Sequence, residues 1–125
     1  MIEAWLRAFL LTQTIEMGVY AHASGSRPLR ERLAIAFGAS AITHPIVWFV
    51  IPEAVRRLLA QHGLSTGWQT DWWIAIAVAE TFAFSAEAIW LALFGVRPAQ
   101  AAAASLLANG ASFTLGLFLY ENMGW

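Results

Sequence analysis

The chain has 125 residues, a formal net charge of −1, no cysteine, and hydrophobic residues at 59% against charged residues at 12%. Soluble domains carry roughly 25% charged residues, so this composition, with a mean hydropathy of +0.60, indicates one domain of a membrane protein. The near-neutral charge argues against nucleic acid as a partner, which needs a basic patch, and without cysteine there is no disulfide, thiolate metal site or cysteine nucleophile.

The first apolar segment covers residues 4–23, close to the roughly 20 residues a helix needs to cross about 30 Å of hydrocarbon. It ends on Ala21-His22-Ala23, the A-x-A pattern that follows a secretory signal peptide. Glu3 stands where a basic leader region belongs, however, and Gln13 and Glu16 interrupt the apolar core, so the segment is read as a membrane helix. The turn SGSRPLRER carries the Gly and Pro signals of a helix end and restart. The second segment, residues 33–52, contains SAITHPIVWFV, where Pro45 removes one helical N–H and pushes aside the carbonyl of Ala41, beside His44.

The connection over residues 53–71 differs from a plain loop. Pro52 starts a short helix and Gly63 ends one, with Val55, Leu58, Leu59 and Ala60 facing the membrane while Arg56 and Arg57 snorkel, which predicts an interfacial helix. Residues 72–94 and 99–120 form the last two segments, divided by FGVRPAQ. Trp5, Trp68, Trp72, Trp73 and Trp125 fall near segment ends, where aromatic belts form. The expected fold is all-α and polytopic: one transmembrane domain, 1–125, with a hairpin at about 4–52, an interfacial connection and a second hairpin at about 72–120.

The hairpins read as copies. IEMGVYAHASGSRP parallels AEAIWLALFGVRP, and FGASAITH echoes LANGASFT, so a two-crossing repeat of about 70 residues re-enters from the same side and its halves relate by an axis along the membrane normal. The repeat pairs Glu16 with Glu87 and sets His44 against the region of Asn109. Glu80 precedes Glu87 by two turns, Thr12 and Gln13 share the face of Glu16, Ser40 and Thr43 flank His44, and Ser105 and Ser112 flank Asn109. Each helix thus presents a polar stripe that lipid does not tolerate.

Together Glu16, His44, Glu80, Glu87, Asn109, Gln13 and Thr43 make a candidate intramembrane cluster, in which carboxyl groups sharing a dry interior do not all ionise. Spacing such as Ala101, Ser105, Asn109 also suits close helix packing, so for Asn109, Ser105 and Ser112 a structural role is weighed beside the functional one. Imidazole and carboxylate bind transition metals, which makes His44, Glu16 and Glu87 candidate ligands of a divalent metal ion. No P-loop, G-x-G-x-x-G, H-E-x-x-H or G-x-S-x-G is present, and His22 and His62 lie in connections.

The reading expected from these residues is a small channel or carrier for protons or small or metal cations, working as a homo-oligomer in the bilayer because four short helices enclose little room. The alternatives are a membrane-embedded metal- or quinone-binding enzyme and a structural subunit of a membrane complex. Arg27, Arg30, Arg32 and Arg97 on the turn side, against Arg7, Arg56 and Arg57, orient the turns inward. Through TIEMGVY, ITHP, AEAIWL and SLLANGASF the chain resembles small four-helix integral membrane proteins of bacteria over most of its length, which implies a bacterial inner-membrane protein without implying an activity.

Overall fold

A computed structural model describes residues 2–123, so Trp125 of the expected aromatic belt lies outside the described residues. These residues form α1 (Ile2–Ala23), α2 (Leu29–Pro45), a π-helical segment (Ile46–Val50), α3 (Ile51–Gln61), α4 (Trp68–Leu93) and α5 (Pro98–Met123). No strand occurs among them. Around the bundle α1 packs on α2, α2 on α4, α4 on α5 and α5 back on α1, which leaves α1 and α4 facing each other across the centre.

Polarity is inverted relative to a water-soluble bundle. Large apolar side chains such as Leu6, Leu10, Ile42, Ile89, Leu106 and Phe118 are exposed, whereas Glu16, Glu87, Ser40, Thr43 and Asn109 are buried. Exposed hydroxyls do not reach outward either. Thr14, Thr81, Ser85 and Thr114 each donate to the carbonyl four residues back on their own helix at 2.7 Å, which satisfies the hydroxyl where no water is present. A bundle apolar outside and polar within is built for lipid.

Three helical stretches are long and apolar enough to cross a membrane: Leu29–Gln61, Trp68–Leu93 and Pro98–Asn122. The sequence reading expected four. Helix α1, at 22 residues, is long enough, but Arg7, Gln13 and Glu16 lower its hydropathy. Gln13 and Glu16 are turned inward and buried, so its outer face stays apolar apart from the first turns.

The second difference concerns Pro52, where the sequence suggests a break. Instead the chain stays helical for 33 residues, from Leu29 to Gln61, about 50 Å at 1.5 Å per residue. Pro45 and Pro52 lack an N–H, and the turn between them relaxes: Ile46 N–H donates to the Thr43 carbonyl and Ile51 N–H donates to the Ile46 carbonyl, five residues back. A π turn of this kind is a known way to carry a helix past such a lesion. Helix α3 therefore continues α2 without a break instead of starting as a separate helix, packs along α4, and buries Val55.

Both hairpin turns meet at one end of the bundle. Arg27 donates to the carbonyl of Phe94 at the end of α4, and Gln100 Nε2 donates to the Ala23 carbonyl at 3.4 Å. Gly25 and Gly95 take positive φ of 74° and 83° in the two turns, a conformation that costs glycine nothing. At the opposite end Trp68, Trp72 and Trp73 open α4 with exposed indoles, and Trp5 near the start of α1 stacks on Phe9 at 5.5 Å.

Candidate functional site

The inner face of α4 is a stripe of Ala75, Ala79, Ala83, Glu87 and Leu91, all buried and spaced by four. Alanines at that spacing let neighbouring helices approach closely, and the one carboxylate in the stripe then reaches all three of the other long helices. Tyr20 of α1 donates its hydroxyl to Glu87 Oε2. Thr43 of α2 donates to Oε1 at 2.5 Å, and Asn109 of α5 donates from Nδ2 to Oε2 at 2.7 Å. Glu87 is only 2% exposed and Tyr20 is fully buried.

Glu16 forms the second node. Gln13, Glu16 and Tyr20 follow the three- and four-residue steps of one helix face and are all buried. The Ser40 hydroxyl on α2 donates to Glu16 Oε2 at 2.5 Å, and that of Ser112 on α5 to Oε1 at 2.8 Å. Glu16 lies seven residues from the end of α1 at Ala23, and Glu87 six from the end of α4 at Leu93. Both therefore sit about 10 Å in from the turn end at 1.5 Å per residue.

The nodes lie next to each other on two sides, through residues that touch both and not through one unbroken hydrogen-bond chain. Ser112 Oγ, besides its bond to Glu16, lies 3.2 Å from the carbonyl of Asn109, whose amide binds Glu87. On α2 the Thr43 hydroxyl has Glu87 Oε1 at 2.5 Å and the Ser40 carbonyl at 3.3 Å, and Ser40 binds Glu16. A hydroxyl carries one proton and accepts at its lone pairs, so Ser112 and Thr43 each choose between acceptors. Asn109 Nδ2 also contacts Tyr20 Oη at 3.1 Å and Ser105 Oγ at 3.2 Å.

Among the described residues no cation joins this interior. All seven basic residues are arginines, and the ion pairs among the described residues, Arg7–Glu3, Arg56–Glu53 and Arg57–Glu53, connect exposed side chains. Among the described residues, the donors to Glu16 and Glu87 are four hydroxyls and the Asn109 amide.

Of the remaining residues singled out in the sequence, Gln13 stays one turn away from Glu16. Its Nε2 reaches the Phe37 carbonyl at 3.5 Å, and its Oε1 has no partner. Glu80 is half-buried and lines a groove of about 400 Å³ between α4 and α5, whose wall also includes Asn109. His44 is buried at 6% exposure but stands among rings, not carboxylates: Phe9 at 5.3 Å, Trp48 at 6.1 Å and Trp5 at 6.2 Å between centroids, with Nδ1 unpartnered. The structure thus brings Glu16, Glu87, Thr43 and Asn109 together and leaves His44 outside them. No group of three or more His, Asp or Glu side chains able to hold a metal ion occurs among the described residues.

Tyr20 is the participant that the sequence reading passed over. Its signal was present, since it follows Glu16 by four residues and so continues the same polar stripe.

Comparison with protein-family models, curated proteins and solved structures finds no match to this chain. Its reading therefore rests on its own residues, as an all-helical bundle with a membrane protein's polarity.

Proposed function

We propose that this protein is a small polytopic membrane protein that conducts or carries protons or small cations through the Glu16–Glu87 network. The carrying observation is the pair of buried carboxylates, one on each of two facing helices, met among the described residues only by hydroxyls and the Asn109 amide. Isolated charge in low dielectric is costly, and where no arginine supplies the counter-charge a mobile proton or cation does. Ser112, within reach of two acceptors, and Thr43, within reach of three, give their hydroxyl protons alternative positions beside the carboxylates.

The layout belonging to this reading has four crossings, as two tandem hairpins related by an axis along the membrane normal. Supporting it are the turn glycines Gly25 and Gly95, seventy residues apart with matching positive φ, and the two carboxylates Glu16 and Glu87, each buried about 10 Å in from the turn end. A homo-oligomer enlarges the space available to a path, and the resemblance carried by TIEMGVY and AEAIWL suggests a bacterial inner membrane.

A structural reading has its own support. Both oxygens of each carboxylate are occupied by donors, the arrangement expected of side chains that staple helices together. Proton and cation flux into liposomes separates the two, because Glu16→Gln and Glu87→Gln keep the side-chain size and much of the hydrogen bonding while removing the exchangeable carboxyl. Conduction expects flux above empty liposomes that falls in both variants while the fold survives. A stapling role expects wild type to match empty liposomes.

A further inference from the structure

The two ends of the bundle differ in how their charges are balanced. At the end that holds the chain termini, Arg7 pairs with Glu3, and Arg56 and Arg57 both pair with Glu53. Asp71 and Glu121 lie at the same end, where carboxylates outnumber arginines. At the turn end Arg27, Arg30, Arg32 and Arg97 stand against a single acidic residue, Glu31, and none of the four makes an ion pair among the described residues. Arg27 and Arg32 each donate one N–H to a helix-end carbonyl, of Phe94 and Ala21 respectively, out of the five that a guanidinium carries. Arg30 and Arg97 are exposed and donate no side-chain hydrogen bond among the described residues. Arginine does not shed its charge, so the excess at this end is permanent.

The four arginines share one level. Arg27 precedes α2 by two residues, Arg30 and Arg32 lie in its first turn, and Arg97 immediately precedes α5. Exposed apolar side chains accompany them: Leu29 and Leu33, one turn apart on α2, and Leu93 and Phe94 at the end of α4. Positive charge set over apolar surface at the ends of membrane helices matches a molecule with an anionic head and a hydrocarbon body. An acidic protein surface matches the charge and leaves the apolar side chains uncovered. We propose that the turn end gathers anionic phospholipids from the surrounding leaflet, their phosphates taking the place of the carboxylates that pair with arginine at the other end, and their acyl chains covering Leu29, Leu33 and Leu93. The proposal goes beyond the conduction reading and needs only that the bundle sits in a bilayer.

The chain has no cysteine, so one introduced thiol reports from a chosen end. The full chain carries a bimane at Ser26→Cys, on the turn end, or at Thr66→Cys, on the other; both positions are exposed. Phosphatidylcholine vesicles then receive traces of phosphatidylglycerol or phosphatidylcholine with the same acyl-chain spin label, and quenching is compared. Phosphatidylglycerol is expected to quench at Ser26 at least about fivefold more effectively, the enrichment that one arginine produces beside an anionic lipid surface, with no such preference at Thr66. The preference falls at least about twofold when Arg30→Gln and Arg97→Gln are combined. It also falls when salt is raised from about 0.1 to about 1 M, which shortens the screening length from about 10 to about 3 Å. Glycerol phosphate at matched ionic strength leaves it intact, because the phosphate comes from lipid and not from solution. The comparison of the two ends keeps every arginine, so it decides the matter even if the double variant fails to fold. Equal preference at both ends, a preference that the double variant or high salt leaves undiminished, or one that glycerol phosphate abolishes would each overturn the proposal. No preference at Ser26 would overturn it as well and leave an acidic protein as the counter-charge. Flux is not read in this assay, so failure of the conduction reading leaves its outcome unaffected.

Discussion

Replacing Glu87 by leucine removes the one acceptor that three helices share. Tyr20 of α1, Thr43 of α2 and Asn109 of α5 all donate to it from positions with little or no solvent exposure. Hydrogen bonds between membrane helices are worth about 0.6 kcal/mol on average and at most about 1.7, because the separated helices find other partners. Three of them predict a loss of about 2 to 5 kcal/mol for Glu87→Leu. Glutamine keeps the volume and one acceptor oxygen, and the hydroxyls of Tyr20 and Thr43 can rotate to accept from its amide, so Glu87→Gln loses about 1 kcal/mol or less. Reversible unfolding in bicelles, followed by tryptophan fluorescence, measures both. A leucine variant as stable as wild type, or equal losses for the two substitutions, would refute the argument that this carboxylate ties the bundle together.

Further expectations concern topology, packing and the imidazole. Single cysteines at Ser26 and Ala99, both exposed beside the turns, label from one side of the membrane and Thr66 from the other; labelling of Ser26 and Ala99 from opposite sides contradicts the layout. A Cβ added at Gly38 lies 2.7 Å from Trp90 Cζ2, and the indole is held by its Nε1 bond to the Ile35 carbonyl at 2.9 Å. Overpacking costs about 1 to 3 kcal/mol against about 1 kcal/mol gained in helix propensity, so Gly38→Ala destabilises by up to about 2 kcal/mol and Trp90→Leu relieves the loss in a double-mutant cycle. His44→Phe fits its cage of Trp5, Phe9 and Trp48 and removes an unpartnered Nδ1. That variant unfolds no more readily than wild type and leaves flux unchanged, whereas a loss of flux returns His44 to the path.

Glu16 and Glu87 could be read from the sequence because each repeats in an otherwise apolar helix beside a Gly–Arg–Pro turn. Once lipid is excluded as their surroundings, only the bundle interior remains. His44 misled because depth along a helix does not fix direction around it: Ser40 and Thr43 face the carboxylates while His44, the next residue, points into a ring cluster that includes Trp5 and Phe9 from the distant first turns of α1. Glu80 shows the same limit. Seven residues return to within about 20° of the same direction, yet the buried stripe Ala75, Ala79, Ala83, Glu87 runs in steps of four and turns about 40° the other way at each step, so at the depth of Glu80 the inner face has rotated away and leaves it on the flank. The boundary at Pro52 was not legible because the π turn that carries the helix past it depends on Pro45, seven residues earlier.

The central claim, that Glu16 and Glu87 exchange a proton or cation and do not merely fasten helices, is tested most directly by proton flux driven by a potassium diffusion potential. Liposomes would hold equal amounts of wild type, Glu16→Gln, Glu87→Gln or Tyr20→Phe, with folding checked by size-exclusion chromatography. The account predicts flux for wild type, a fall of tenfold or more, at least about 1.4 kcal/mol in barrier, for each glutamine variant, and a smaller fall for Tyr20→Phe, which removes one donor from Glu87. Wild type indistinguishable from empty liposomes, or folded glutamine variants that conduct as well as wild type, would contradict it.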